Sequence, residues 1–93
     1  MAKNILLKIS TPSKKILEKS VAKVSIPAFG GDLTILLDRA PSEILLKAGE
    51  IKILSEDAKV LETYETTEGI ADIAGDTCAI YVGSIAKKSG LSF

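Results

Sequence analysis

The chain has 93 residues with 12 basic and 12 acidic side chains, one small domain without the Lys/Arg excess that phosphate backbones require, which excludes nucleic acid as a partner. Hydrophobic residues make up 46%, enough for a packed core, but aromatics are only 4% and Trp is absent, so that core is aliphatic. There is no His, which removes the commonest general base and the commonest transition-metal ligand.

The N-terminal stretch MAKNILLKIS has one basic residue and too short an apolar run for a signal peptide. No stretch approaches the ~20 apolar residues of a membrane span. The expectation is a soluble domain on the cytosolic side, without direct membrane insertion. From there the period of the sequence is two. Ile5, Leu7 and Ile9 share one face of the first strand; Ala22, Val24 and Ile26 share a face while Lys23 and Ser25 point to water. Leu33, Ile35 and Leu37 alternate with Thr34 and Leu36, Ile51 and Ile53 with Lys52 and Leu54. Near the end, Cys78, Ile80 and Val82 alternate with Ala79 and Tyr81. Such alternation in short segments is the pattern of half-buried strands around one core.

Turn residues separate these runs at Thr11-Pro12-Ser13, Pro27 to Asp32, Asp38 to Ser42, Ala48-Gly49, Ser55-Glu56-Asp57, Glu68-Gly69 and Gly75-Asp76. Strands at this spacing predict an all-β sandwich or flattened barrel of nine or ten strands. Two segments are candidate helices. PSKKILEKSVAK has Ile16, Leu17 and Val21 near helical spacing, but Ser20 and the alternation after it favour a hairpin. Ser84 to Phe93 reads as a short irregular tail or the frayed start of a helix.

No catalytic constellation stands out. Gly30-Gly31 is followed by Asp32 and a strand, whereas a phosphate loop needs a Lys and a helix start, and Asp repels phosphate. The glycines read as a turn. Asp38, Glu43, Asp57, Glu62, Asp72 and Asp76 are scattered over turns and outward positions and read as solvated surface. Lys14-Lys15 and Lys87-Lys88 read as solvated basic pairs, and the single Cys78 as a core thiol in a reducing compartment. No cofactor and no metal site are expected. One alternative function remains: SEDAKVLE is similar to the hairpin of biotinyl or lipoyl carrier domains, with Lys59 near the turn, although Ala58 separates it from Asp57.

The stretch GGDLTILLDRAPSEILLKAGEIKIL resembles the ε subunit of F-type ATP synthases. The usual pattern there is Gly-Glu-Leu-Gly-Ile, a linker, His-Ala-Pro, an apolar strand, then Lys-Pro-Gly or a variant and an alternating strand. Gly31, Asp32, Leu33, Ile35, Ala40, Pro41, Lys47, Gly49 and Ile51 match without a gap. Upstream, LLKISTPSKKILEKSVAKVSIP looks like the family's first strands, and EGIADIAGDTCAIYVGSIA resembles its last ones. Thr34 replaces a small residue, Arg39 a His and Asp32 a Glu, and Thr67-Glu68-Gly69 keeps one of two paired glycines.

The resemblance implies a ten-stranded β-sandwich over residues 1–83 and a tail, 84–93, where the family's C-terminal helical hairpin would start. It implies a non-catalytic central-stalk subunit that joins the γ subunit to the membrane c-ring, and through them the catalytic hexamer. Its expected place is the cytoplasmic face of a bacterial inner membrane, coupling proton or sodium translocation to ATP synthesis. Little or no hydrolysis-inhibiting arm is expected of a chain that stops at Phe93. The implied contact residues are Gly30, Gly31, Asp32, Asp38, Arg39, Ala40 and Pro41. The family's pattern puts the loop Ala28 to Asp32 and the turn Asp38 to Ser42 at the same end, with Asp32 and Arg39 facing the c-ring loops. Periodicity alone puts them at opposite ends of one strand.

Overall fold

The period-two pattern becomes ten strands in a computed structural model, which describes residues 4–36 and 40–90. They are β1 (Ile5–Ser10), β2 (Lys15–Val21), β3 (Lys23–Ala28), β4 (Gly31–Ile35), β5 (Ser42–Leu46), β6 (Gly49–Leu54), β7 (Val60–Thr66), β8 (Gly69–Ala74), β9 (Thr77–Val82) and β10 (Ile85–Gly90). They pair in the order β10-β7-β6-β3-β5-β8-β9-β1-β2, with β4 on β3. Every pair is antiparallel except β1 with β9, which run parallel, Leu7 opposite Cys78.

A flat sheet of this many strands would be roughly 45 Å wide at ~4.8 Å per strand. The longest extent is 35 Å and the radius of gyration 12.1 Å, so the sheet rolls over on itself into a sandwich. β3 makes the fold-over possible. Val24 pairs with Ile35 of β4 on one edge and with Ile53 of β6 on the other. Four residues on, Ala28 touches Leu46 of β5. The strand thus passes the ladder from one half of the sandwich to the other.

The inward face is the expected one. Ile5, Leu7 and Ile9 of β1, Val24 and Ile26 of β3, Ile35, Ile51, Ile53, and Cys78, Ile80 and Val82 of β9 are all buried in one cluster with Leu46, Ala71 and Ile73. Each such side chain contributes about 1.5–3 kcal/mol by leaving water. Tyr64 is the one aromatic residue in that cluster. Leu54, placed outward by alternation, is 8% exposed as well, beside the register shift of β6 against β7 between Ile53 and Leu54.

The registers also sort the turns into two ends. Leu46 lies opposite both Ala28 and Gly69, Gly69 opposite Val82, and Thr66 opposite both Gly49 and Ile85. The Phe29-Gly30, Lys47-Ala48 and Thr67-Glu68 turns and the Gly83-Ser84 link therefore share one end, here the near end. The Thr11 to Lys14 turn joins them, since Ser10 lies opposite Tyr81. Ala22, the Ser55 to Lys59 turn and the Gly75-Asp76 turn lie at the far end.

One expectation is corrected. Ser84 to Phe93 is not an irregular tail or a helix start as far as it is described: Ile85–Gly90 is strand β10, on the edge of β7 from Thr66 to Glu62. Its cause is the free edge of β7, whose backbone groups need partners, together with Ser84 N–H donating to Thr67 Oγ1 at 2.9 Å. PSKKILEKSVAK forms the hairpin that its alternation favours, β2 pairing with β1.

Candidate functional site

The β3–β4 hairpin carries three of the sequence-predicted contact residues. Ala28 lies opposite Gly31, so Phe29 and Gly30 alone make the turn. Gly31 has φ 127, a backbone state that a side chain disfavours. The side chain of Phe29 is 61% exposed at the tip, and Asp32 and Thr34 are exposed on the outward phase of β4 while Leu33 and Ile35 turn in. A neighbouring turn is tied to this tip, since Lys47 N–H donates to the Pro27 carbonyl at 2.9 Å. Behind it Gly49 packs on Pro27 so closely that a Cβ there would come within 2.9 Å of the ring. Gly30, Gly31, Asp32, Phe29 and Lys47 therefore form one firm, exposed tip at the near end.

Ala40 and Pro41 are exposed at the start of β5, where Ser42 Oγ donates to the Ala40 carbonyl at 2.8 Å. Asp38 and Arg39 lie outside the described residues. The two groups do not share an end. β4 runs from Gly31, opposite Ala28, to Ile35, opposite Val24, and β5 returns from Ser42 to Leu46, again opposite Ala28. Four residues of strand are about 13 Å. The same-end placement that the family's pattern implied is thus overturned by the register, and the arrangement that periodicity gives holds.

Most other candidates behave as surface or core. Lys59 closes the Ser55 to Lys59 turn, where Ser55 Oγ accepts from Lys59 N–H at 3.0 Å and Ala58 sits at φ 66. Its ammonium lies 3.9 Å from Asp57. Cys78 is buried, and burial, with a smaller push from Asp72, raises its thiol pKa to about 11. Glu62 departs from its expected place on the solvated surface. It is half-buried, accepts from Lys19 Nζ at 2.8 Å and from the Tyr64 hydroxyl at 2.6 Å, and its pKa is lowered chiefly by the Lys19 bond. The tertiary fold made this partnership; no local pattern announces it.

Among the described residues no group of three or more His, Cys, Asp or Glu is placed to hold a metal ion, and no helix is long and apolar enough to cross a membrane. Seven large apolar side chains are exposed among the described residues, Phe29, Leu45 and Tyr81 among them. The sequence signals Leu45 and Tyr81, which stand at outward positions of β5 and β9 where alternation calls for a polar residue.

Residues 4–88 match the family described as ATP synthase, Delta/Epsilon chain, beta-sandwich domain. The ATP synthase epsilon chain of Granulibacter bethesdensis is 35% identical over 74 residues, 80% of this chain and 54% of its own length. That of Gluconacetobacter diazotrophicus is 30% identical over 88 residues, 95% of this chain and 62% of its length. That of Rhizobium rhizogenes is 31% identical over 92 residues, 99% and 67%. The chain spans from about half to two thirds of the length of these relatives.

Among solved structures, a chain of the Euglena gracilis mitochondrial ATP synthase OSCP/F1/c-ring superposes with a TM-score of 0.81 at 20% identity, covering 91% of this chain and 54% of that one. One from the central stalk/c-ring of the Tetrahymena thermophila mitochondrial ATP synthase gives 0.73 at 22%, covering 88% and 65%. At that identity these two speak for the fold alone. By its match over residues 4–88, the chain belongs to the ATP synthase delta/epsilon family, as an epsilon-type N-terminal β-sandwich domain.

Proposed function

We propose that this domain is a non-catalytic rotor component of an F-type ATP synthase, held between the γ subunit and the c-ring on the cytoplasmic face of a bacterial inner membrane. The observation that carries the reading is the family match over residues 4–88. The mechanics suit it: a part that transmits torque needs a stiff body, and one closed aliphatic core under a rolled sheet is close-packed and resists shear.

In this reading the hairpin tip of Phe29, Gly30, Gly31 and Asp32 is the contact toward the c-ring loops. Asp32 pairs there with a basic side chain, and Phe29 supplies apolar area beside it. Such an exposed ion pair contributes ~0–1 kcal/mol, so it sets register more than affinity. Ala40 and Pro41 form a second contact at the far end, toward a different surface of the assembly.

The test is purification of the tagged chain from detergent-solubilised membranes of its own cell. Recovery of the γ subunit and the c-ring with it is the expected result; their absence overturns the reading. In membranes carrying Asp32→Lys, ATP-driven ion pumping falls while the fold is kept. Unchanged pumping would remove Asp32 from the contact.

A further inference from the structure

We infer that β10 is a strap, hinged at Ser84 and held shut by Lys88, that leaves the edge of β7 as one unit while the sandwich beneath it stays closed. The strands at the two ends of the ladder, β10 and β2, each pair on one side only, but they are held in different ways. β2 carries two inward anchors, Val21 in the core cluster and Leu17 packed against it. β10 carries one, Ile85, next to the hinge; Ala86, Lys87 and Lys88 are exposed. The ladder of β10 on β7 is also interrupted midway. Lys87 lies opposite Tyr64 and Ser89 opposite Thr63, which leaves Lys88 as an extra residue. Few buried contacts and a broken ladder mark a segment of low local stability.

Fraying at a sheet edge is ordinary; what holds β10 and what lies under it make it a strap. Its start is pinned twice, by Ser84 N–H donating to Thr67 Oγ1 at 2.9 Å and by Thr67 N–H donating to the Ser84 carbonyl at 3.2 Å. Beyond Ile85, the one side-chain tie among the described side chains is that of Lys88, whose ammonium reaches across β7 to Glu50 of β6. Glu65 of β7, directly opposite Glu50, adds to the pull on Lys88. An exposed bond of this kind is weak and is screened by salt.

The closure of the sandwich does not pass through β10. Lys19 of β2, Glu62 and Tyr64 bond to one another directly, so β7 stays tied to β2 when β10 is away. Opening uncovers the backbone of β7 from Glu62 to Thr66 along that edge. With Glu65 on the edge and Glu50 behind it, the strand that fits back best is a basic one, as β10 is with Lys87 and Lys88.

The experiment is amide hydrogen exchange on the intact chain, read residue by residue at several low urea concentrations. Amides bonded between β10 and β7 are expected to exchange roughly tenfold or more faster than those between β6 and β7, with a much smaller urea dependence, while the β1–β2 amides follow the core. Raised salt and Lys88→Gln should each speed exchange of the β10–β7 amides further, by about threefold, and leave the β1–β2 amides unchanged. If the β10–β7 amides exchange with the rate and urea dependence of the β6–β7 amides, β10 opens only with the whole fold and the inference is overturned. It is overturned equally if the β1–β2 amides exchange as fast as those of β10, which is common edge fraying, or if Lys88→Gln leaves β10 unaltered.

Discussion

Lys19 of β2 and Glu62 of β7 are 43 positions apart and meet at 2.8 Å. In the ladder β2 is the last strand and β7 the second, so this bond joins the two ends of the rolled sheet. The Tyr64 hydroxyl donates to the other oxygen of Glu62 at 2.6 Å, and the carboxylate is thereby held from two sides at the seam.

The seam makes stability depend on pH in a defined direction. Glu62 has a pKa below its ordinary 4.5, first through the Lys19 bond and then through Tyr64. A depressed carboxyl stabilises the fold fully above its ordinary value, and the contribution is lost as pH falls through the folded-state value. Urea midpoints should therefore drop below pH about 4.5, and Glu62→Gln should flatten that limb while costing about 1 kcal/mol at pH 7. Tyr64 works at the other extreme. Burial, then the Glu62 bond, push its pKa up to about 12, so stability falls as pH rises from about 10 toward that value. An acid limb in Glu62→Gln as steep as in wild type would assign the dependence to other carboxyls.

Three glycines should respond to alanine in a fixed order. A Cβ at Gly69 would lie 2.1 Å from the Tyr81 carbonyl oxygen and 2.8 Å from Val82 Cγ1. The first of these is backbone of β9, paired into the β8–β9 ladder one position from its near end, and cannot step aside, so Gly69→Ala should cost about 3 kcal/mol. Gly31 has open space around it but φ 127, and Gly31→Ala should cost about 1–2 kcal/mol from backbone strain alone. Gly30 has neither constraint, so Gly30→Ala should leave the denaturation midpoint unchanged.

Ala58 is in the left-handed region at φ 66, where a Cβ is strained. Ala58→Gly should raise stability by up to about 1 kcal/mol, the relief of strain being partly offset by the greater freedom of glycine when unfolded. Ala58→Val should lower it. Chemical denaturation of the three proteins at one pH decides the sign.

Cys78 should be silent to thiol reagents in the native protein. It is fully buried in the core and its thiol is raised to about 11, so little thiolate forms at neutral pH. Labelling in mild denaturant should follow the opening of β9. Rapid labelling in native buffer would mean that β8 and β9 part far more often than the rest of the sheet.

Much of this architecture was legible in the sequence because alternation reports burial directly. Ile5, Leu7 and Ile9, or Cys78, Ile80 and Val82, announce both a strand and its inward face. β10 was not legible. IAKKSG has no alternation to read, and it is a strand because β7 offers it an edge. The seam pair was hidden for the same reason, since Lys19 and Glu62 are neighbours only after the sheet rolls. Of the proposed contact residues, Gly30, Gly31 and Asp32 were legible as a turn. Their separation from Ala40 and Pro41 follows from the β4 register, which the family's pattern obscured. Leu45 and Tyr81 break the polar outward phase of β5 and β9.

The parallel pairing of β1 with β9 governs how the chain folds. Leu7 reaches its partner Cys78 only after nearly all the strands between them have been made. As the chain leaves the ribosome, the β1–β2 hairpin waits with Ile5, Leu7 and Ile9 uncovered until β9 arrives. Closing so long a loop is slow in any topology dominated by distant contacts. The interval before β9 is docked is when the chain is most exposed to aggregation. Weakening β9 should therefore lower the yield of folded protein more than it lowers the stability of the molecules that do fold.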